Sequence, residues 1–294
     1  MARIDNDRDR LIFALDVADA DAARALVVQL DDAVTFYKVG LELAMAPGYF
    51  ELIDWLKARG KKVFVDVKLF DVPATVAAAV KRLNARDVDF VTIHGNQSIM
   101  EAAAAARTGN TRILAVTALT SLDRGDMTDL GFDCDIGDLV LSRARRALAA
   151  GCDGVVSSGL ELERLRAEAP DTLVTVTPGI RPVDNDAPPD DQKRVMTPTQ
   201  AIAAGADHLV VGRPIRQAAA SPDFQSVKAA FSSASSPAID TVYTAKVSLD
   251  GLERNKMRVV PGLTSKAMSA ASGYAPRSVV APIVGAVYKK LGGS

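Results

Sequence analysis

The sequence predicts an α/β protein with the fold of a (β/α)8 TIM barrel, and three observations support this prediction. Short apolar runs alternate with helical patterns along residues 1–231. Eight such strand–helix units can be counted, and their combined length is typical of a barrel of this class. Polar residues stand at the C-terminal ends of several runs, which is where active sites of this fold lie.

The predicted elements follow one another in a regular order. The first strand is predicted at residues 11–17, a continuous apolar run with Asp16 near its end, and an alanine-rich helix is predicted at 19–30. The further strands are predicted at residues 34–39, 62–67, 89–94, 112–117, 154–157, 173–177 and 207–212. A doubly wound open sheet is the alternative, but the first strand–helix turn lacks the glycine-rich phosphate loop that such folds often carry.

The chain is predicted to continue beyond the barrel. Residues 1–231 form the predicted barrel domain, 232–240 a linker of small residues, and 241–294 a C-terminal helical extension of unknown role. Two segments of residues 238–294, Gly251-Leu-Glu-Arg-Asn-Lys-Met-Arg-Val-Val-Pro-Gly262 and Ala275-Pro-Arg-Ser-Val-Val, resemble the C-terminal end of short-chain dehydrogenases. The extension contains neither a glycine-rich nucleotide loop nor a Tyr-x-x-x-Lys pair. No redox activity is therefore expected of it.

Composition excludes several classes of function. The 294-residue chain is 48% hydrophobic and carries a net charge of −1, so no global basic field favours nucleic acid or an anionic membrane. The two cysteines, Cys134 and Cys152, form no disulfide framework, which is typical of a reducing compartment. The charged N-terminus lacks an apolar signal core, and no apolar run is long enough to span a membrane. We therefore expect a cytoplasmic protein.

Three charged residues stand in an otherwise apolar segment, residues 63–73: Asp66, Lys68 and Asp71. Residues two apart in a strand face the same side, so Asp66 and Lys68 point together toward whatever lies at the end of the strand. Two carboxylates beside one ammonium form a strongly coupled group, which is typical of active sites. For this segment taken alone, a salt bridge at a strand end is the alternative.

Other predicted strand ends extend this group. The polar residues at or near these ends are Asp16, Lys38, Asp66, Lys68, His94 and Thr117. Because the strand ends of a barrel converge on one mouth, we expect these residues to become neighbours. Each of them singly has a structural alternative as a strand-end cap, but the whole set favours an active site.

A phosphate site is predicted after the eighth strand. Gly212 frees the backbone, Pro214 pre-sets a helix start, and Arg213 stands beside the exposed amides of that helix. A solvated arginine is the alternative. The preceding connection, residues 178–197, is long, polar and rich in Pro and Asp, which is typical of a lid or a disordered loop.

Eight motifs, in this order, resemble the orotidine 5'-phosphate decarboxylase family over residues 9–231. They are Phe-Ala-Leu-Asp16-Val, Tyr-Lys38-Val-Gly, Asp66-Val-Lys68-Leu-Phe-Asp71-Val-Pro-Ala-Thr75, Val-Thr-Ile-His94-Gly, Val-Thr-Ala-Leu-Thr120-Ser, Thr-Pro-Gly179-Ile-Arg, Asp191-Gln192-Lys-Arg with Met-Thr-Pro198, and Val-Val-Gly212-Arg213-Pro-Ile. The Asp-x-Lys-x-x-Asp element recurs in other sugar-phosphate enzymes of this barrel group, but the eight motifs together are highly specific.

The resemblance implies decarboxylation of orotidine 5'-phosphate to uridine 5'-monophosphate, the last step of de novo pyrimidine synthesis, without metal or organic cofactor. It implies that Lys68 protonates the C6 carbanion and that Asp66 lies against the substrate carboxylate. The other implied roles are those of Asp16 and Lys38 at the ribose and in the charge network, Thr120 at the pyrimidine edge, Gln192, Gly212 and Arg213 at the phosphate, and Asp71 and Thr75 in the partner's site across a homodimer.

Two rival functions stay open from the sequence. A metal-dependent sugar-phosphate lyase or synthase of the same barrel group typically needs a carboxylate at the end of the second strand, where this chain has Lys38. The second rival is a barrel that has lost catalysis and serves as a scaffold, with the extension as an interaction module. An intact set of charged residues at the mouth argues against it.

Overall fold

The computed structural model describes residues 7–170, 172–181 and 194–220, and these residues form a closed barrel of eight parallel strands. The predicted fold class is confirmed. The strands are β1 Leu11–Ala14, β2 Phe36–Gly40, β3 Lys62–Leu69, β4 Phe90–His94, β5 Arg112–Val116, β6 Gly154–Val156, β7 Val174–Thr177 and β8 His208–Val211. Each strand pairs with the next along the chain, and β8 pairs back with β1.

Helices follow the strands and surround the barrel. They are α1 Ala20–Leu30, α2 Leu41–Ala44, α3 Tyr49–Ala58, α4 Pro73–Asn84, α5 Gln97–Ala106, α6 Arg124–Asp129, α7 Ile136–Ala149, α8 Leu162–Glu168, α9 Pro198–Ala203 and α10 Arg213–Ala219. Local sequence fixes several starts: Asp19 caps α1 through two backbone amides, and Pro73 stands in the first turn of α4.

The hydrophobic core has two layers, and this explains the continuous apolar runs. One cluster fills the barrel interior and includes Ile12, Phe36, Phe64 and Phe90. The other lies between strands and helices, with Phe13 next to Ile12 in the sequence but in the other layer. Both faces of each strand are therefore buried, as parallel sheets require.

The structure corrects some boundaries. Strand β1 ends at Ala14, two residues before Asp16, so that this carboxylate lies beyond the strand. Strand β3 extends to Leu69 and thus includes Lys68. The predicted linker 232–240 and extension 241–294 lie outside the described residues. Among the residues that are described, no helix is long and apolar enough to cross a membrane.

Three ion pairs, called here the base ion pairs, lie at the N-terminal end of the barrel, the base. They are Lys57–Asp89, Arg107–Asp153 and Arg166–Asp207. Each aspartate immediately precedes an even-numbered strand and accepts a hydrogen bond of 2.8 Å from a backbone amide of the strand before it. The cation comes from the last turn of the helix that precedes this earlier strand or, for Arg107, from the residue directly after that helix. These pairs therefore link helix, strand and neighbouring strand.

Candidate active site

A cavity of about 220 Å³ opens at the C-terminal end of the barrel, the mouth. Its walls come from the ends of strands and the loops after them. Seven predicted site residues line this cavity: Asp16, Lys38, Asp66, Lys68, Thr120, Gly212 and Arg213. The structure therefore brings these seven residues to one mouth, and they include four of the six strand-end residues that were expected to become neighbours.

Four charged residues form an alternating chain across the cavity. Lys38 Nζ lies 3.2 Å from Asp16 Oδ1 and 3.5 Å from Asp66 Oδ2. The other oxygen of Asp66 accepts a hydrogen bond of 2.9 Å from Lys68 Nζ. The side chains of Lys38 and Asp66 are each 12% exposed, whereas that of Lys68 is 38% exposed. Of the two lysines in this row of charges, Lys68 is therefore the more exposed one.

Backbone irregularity places Lys68 in this position. The pairing of β3 with β4 shifts register between Val65 and Leu69, and Lys68 has a φ of 50°. A left-handed lysine is unfavourable and occurs where surrounding contacts hold it. Here Thr92 Oγ1 accepts a 3.0 Å hydrogen bond from the Lys68 amide and lies 3.0 Å from Asp66 Oδ1. Thr92 thus fixes both ends of the Asp66–Lys68 unit.

Burial and neighbouring opposite charges have opposite effects on the pKa values of Lys38 and Asp66, the two most buried charged groups of the site. Burial favours the neutral form of Lys38, but the carboxylates of Asp66 and Asp16 outweigh it and raise the pKa of this lysine. Burial likewise favours neutral Asp66, yet Lys38 and Lys68 outweigh it and lower the pKa of this carboxyl. Both groups are therefore charged near neutral pH.

Glycines make room for the charged chain. A Cβ on Gly40 would stand 3.0 Å from Lys38 Nζ, and a Cβ on Gly212 would stand 3.2 Å from Asp16 Oδ2. Gly212 precedes α10, and Arg213 begins that helix at the cavity wall. These glycines let charged groups approach the backbone closely.

Some predicted residues lie elsewhere. Asp71 and Thr75 are exposed and are not among the residues that line the cavity; Asp71 Oδ1 accepts a hydrogen bond from the Val72 amide. His94 stacks on Phe70 with ring centroids 4.4 Å apart. Thr117 is buried and donates to the Val156 carbonyl, so for Thr117 the structural alternative is correct. Gln192 lies outside the described residues.

The sequence reasoning missed several residues that contribute to the mouth. Arg181 and Ser157 line the cavity, and Thr92 supports it from behind. Arg181 belongs to the Thr-Pro-Gly-Ile-Arg motif, so the motif held a signal that was assigned no role. Ser157 directly follows β6 and Thr92 lies in the middle of β4, and both stand next to apolar residues and resemble ordinary barrel residues. Only the fold gives them significance.

Comparison with known proteins finds a family model and related sequences that match this chain. A model of the Orotidine 5'-phosphate decarboxylase / HUMPS family matches residues 9–228. The chain belongs to this family. It is 65% identical over 211 residues to an orotidine 5'-phosphate decarboxylase of Methylococcus capsulatus, covering 72% of this chain and 86% of the relative. It is 52% identical over 214 residues to that of Rhodopseudomonas palustris strain HaA2, covering 72% of this chain and 90% of the relative.

Solved structures in the decarboxylase family have the same fold. A crystal structure of orotidine 5'-phosphate decarboxylase from Lactobacillus acidophilus matches with a TM-score of 0.64 and 29% identity, covering 76% of this chain and 97% of that chain. The family match ends at residue 228, close to the predicted end of the barrel. The comparisons give no support to a likeness between residues 238–294 and short-chain dehydrogenases.

Proposed function

We propose that this chain decarboxylates orotidine 5'-phosphate to uridine 5'-monophosphate. The observation that carries the proposal is the pairing of Lys68 with Asp66 in a cavity that is also lined by Arg181 and Arg213. The cavity thus offers an ammonium for chemistry and guanidinium groups for an anionic substrate. The curated relatives named above are orotidine 5'-phosphate decarboxylases at 65% and 52% identity.

Lys68 is the proposed proton donor. Loss of carbon dioxide from C6 leaves a carbanion without an adjacent electron sink, so the catalyst must stabilise charge that appears in the transition state. The Lys68 ammonium points into the cavity and provides this stabilisation. It then transfers a proton to C6, and the neutral amine regains a proton from solvent. Asp66, on the same strand, orients the ammonium by a 2.9 Å hydrogen bond.

The other end of the charged chain is proposed to hold the ribose. Asp16 is more exposed than Asp66, the other carboxylate in this row of charges, and it can accept hydrogen bonds from sugar hydroxyls. Lys38 lies between the two carboxylates and neutralises both. Without Lys38, Asp16 and Asp66 would lose the cation that lies between them, and the buried Asp66 would keep only its pair with Lys68.

The phosphate and the base are proposed to lie against the loops after β5, β7 and β8. Arg213 and Gly212 follow β8, and Arg181 follows β7, so their donors surround one side of the cavity. Gln192 is assigned to the phosphate by family resemblance. Thr120, after β5, is proposed to meet the pyrimidine edge.

The homodimer is proposed on the side of the mouth next to β3. Phe70 and Val72 are 64% and 63% exposed, and they flank Asp71. Exposed apolar surface that is bordered by polar residues is typical of an interface. A partner that covers them would receive Asp71 and Thr75 in its own cavity. Cytoplasmic localisation and independence from metal and organic cofactors complete the proposal.

The test uses the full-length chain with orotidine 5'-phosphate as substrate. Its conversion is monitored by ultraviolet absorbance, with and without a chelator. Equal turnover with and without chelator, together with release of carbon dioxide, supports the proposal. Absence of turnover, combined with metal-dependent condensation of ribulose 5-phosphate and formaldehyde, would establish the sugar-phosphate lyase or synthase alternative instead.

A further inference from the structure

The wall of the cavity after β5 is held from behind by two arginines. This wall is the segment 117–120, and its last two residues, Leu119 and Thr120, line the cavity. At the start of the segment, Arg143 Nη1 donates a 2.5 Å hydrogen bond to the Thr117 carbonyl. Near the end, Arg194 Nη2 donates a 3.2 Å hydrogen bond to the Leu119 carbonyl.

Arg194 also joins this wall to the loops after β6 and β7. Its Nη1 pairs with Glu161 Oε1, at the end of a 3-10 turn that follows β6. Two residues later, Met196 bridges in parallel with Ile180, the residue before Arg181. The turn and Met196 are in close contact, since a Cβ on Gly159 would lie 2.8 Å from the Met196 sulfur. One guanidinium thus connects three loops of the mouth.

The ion pair between Arg194 and Glu161 is poorly suited to a purely stabilising role. The side chains of Arg194 and Glu161 are only 10% and 11% exposed. Glu161 Oε2 and Arg194 Nε are buried and make no hydrogen bond to any described residue. Burial raises the pKa of Glu161, although the Arg194 charge acts in the opposite direction. Desolvation offsets much of the attraction in such a pair, so its clearest consequence is geometric.

We propose that Arg194, oriented by Glu161, is a positioning residue that holds Leu119 and Thr120 against the pyrimidine ring of the nucleotide. The inference rests on the proposed function, because that function places the base at this wall. A prepositioned wall lowers the entropy lost when the base binds. Among the residues proposed to hold ribose and phosphate, Asp16, Gly212 and Arg213 line the cavity outside this segment.

The test compares two ligands by isothermal titration of full-length wild type and Arg194→Met. Uridine 5'-monophosphate contains the base, and ribose 5-phosphate does not. We expect Arg194→Met to weaken binding of the nucleotide by about tenfold or more, and binding of ribose 5-phosphate by less than about threefold. Arg194→Lys keeps the charge but not the two-pronged geometry, so it should recover part of the nucleotide affinity.

Two further variants keep the test decisive. Arg145→Met removes an exposed arginine from its pair with Glu168 on the outer helices, and it should leave both affinities unchanged. If Arg194→Met does not fold, Glu161→Gln preserves the shape of the pair and carries the same expectation. Equal loss for both ligands, or no loss for either, contradicts the inference. A wild-type chain that binds no uridine 5'-monophosphate contradicts the proposed function instead.

Discussion

Charged side chains meet at both ends of the barrel, but they have different neighbours at the base and at the mouth. At the base, Asp207 pairs with Arg166 at 2.6 Å and also accepts a hydrogen bond from the Thr175 amide. Arg166 in turn donates to the carbonyls of Gly205 and Leu173. At the mouth, Lys68 has a single carboxylate partner among the described residues and remains 38% exposed to the cavity.

The difference separates stability from chemistry. A base cation whose donors are shared between a carboxylate and backbone carbonyls links structural elements and has little capacity for a ligand. A cation with one partner and an open face can reach a substrate. The same residue types therefore serve two purposes, and the carbonyls of Gly205 and Leu173, which share the donors of Arg166, distinguish that base cation from Lys68.

The largest effect is expected from a substitution of Lys68, one of the four charged residues at the mouth. Lys68→Ala removes both the charge that stabilises the carbanion and the proton donor, so kcat/KM for orotidine 5'-phosphate should fall by at least about 10³-fold. The free energy of unfolding should change by less than about 1 kcal/mol, because the side chain is partly exposed. Steady-state kinetics and urea denaturation of the same preparation measure the two quantities. Wild-type-like turnover would contradict the assignment of Lys68.

The second largest effect is expected from a substitution that removes the Arg166–Asp207 ion pair at the base. Arg166→Met leaves Asp207 buried without its cation and should lower the free energy of unfolding by about 3 kcal/mol. Turnover per folded molecule should remain within about twofold of wild type, since the mouth is untouched. Arg145→Met, in an exposed pair with Glu168, is the matched control and should cost less than about 0.5 kcal/mol. If Arg166→Met lost more turnover than folded protein, the claim that the base serves stability and the mouth serves chemistry would be refuted.

The sequence was sufficient to predict the barrel, because eight buried parallel strands leave continuous apolar runs that few other folds share. It also predicted Asp16, Lys38, Asp66 and Lys68, since charge at a strand end is conspicuous in such runs. It could not predict Thr92 or Arg194, whose partners lie 24 and 75 residues away in the chain. Their roles arise from the register shift in β3 and from loop packing, and neither leaves a local pattern.

A third prediction compares two buried threonines. Thr92 holds the Lys68 amide at the mouth, and Thr111 donates a 2.8 Å hydrogen bond to the Val88 carbonyl near the base. Both Thr→Val changes should cost about 1 kcal/mol of unfolding free energy, because each leaves a backbone group without its partner. Only Thr92→Val should also lower kcat/KM, by about tenfold, as Lys68 loses its fixed position. Equal kinetic effects in both variants would count against a special role for Thr92.

The smallest expected effect concerns pH. The pKa of Asp66 is lowered from its ordinary 3.8, so its charge stabilises the fold above that pH and the gain is lost as pH falls through the folded-state value. The pKa of Lys38 is raised above 10.5, so its contribution is lost only as pH rises through that higher value. The difference in unfolding free energy between wild type and Asp66→Asn should be constant from about pH 5 to about pH 9 and narrow below about pH 4. A difference that widens on acidification contradicts this electrostatic account.

The most direct test of the central claim, that the mouth cation Lys68 performs the chemistry, is a single-turnover measurement with enzyme in excess over orotidine 5'-phosphate. All substrate is then bound, so binding and chemistry are separated. For Lys68→Ala we predict a complex that forms with an affinity near that of wild type for uridine 5'-monophosphate, and decarboxylation slowed by at least about 10³-fold. Decarboxylation within tenfold of the wild-type rate in that bound complex would contradict the claim.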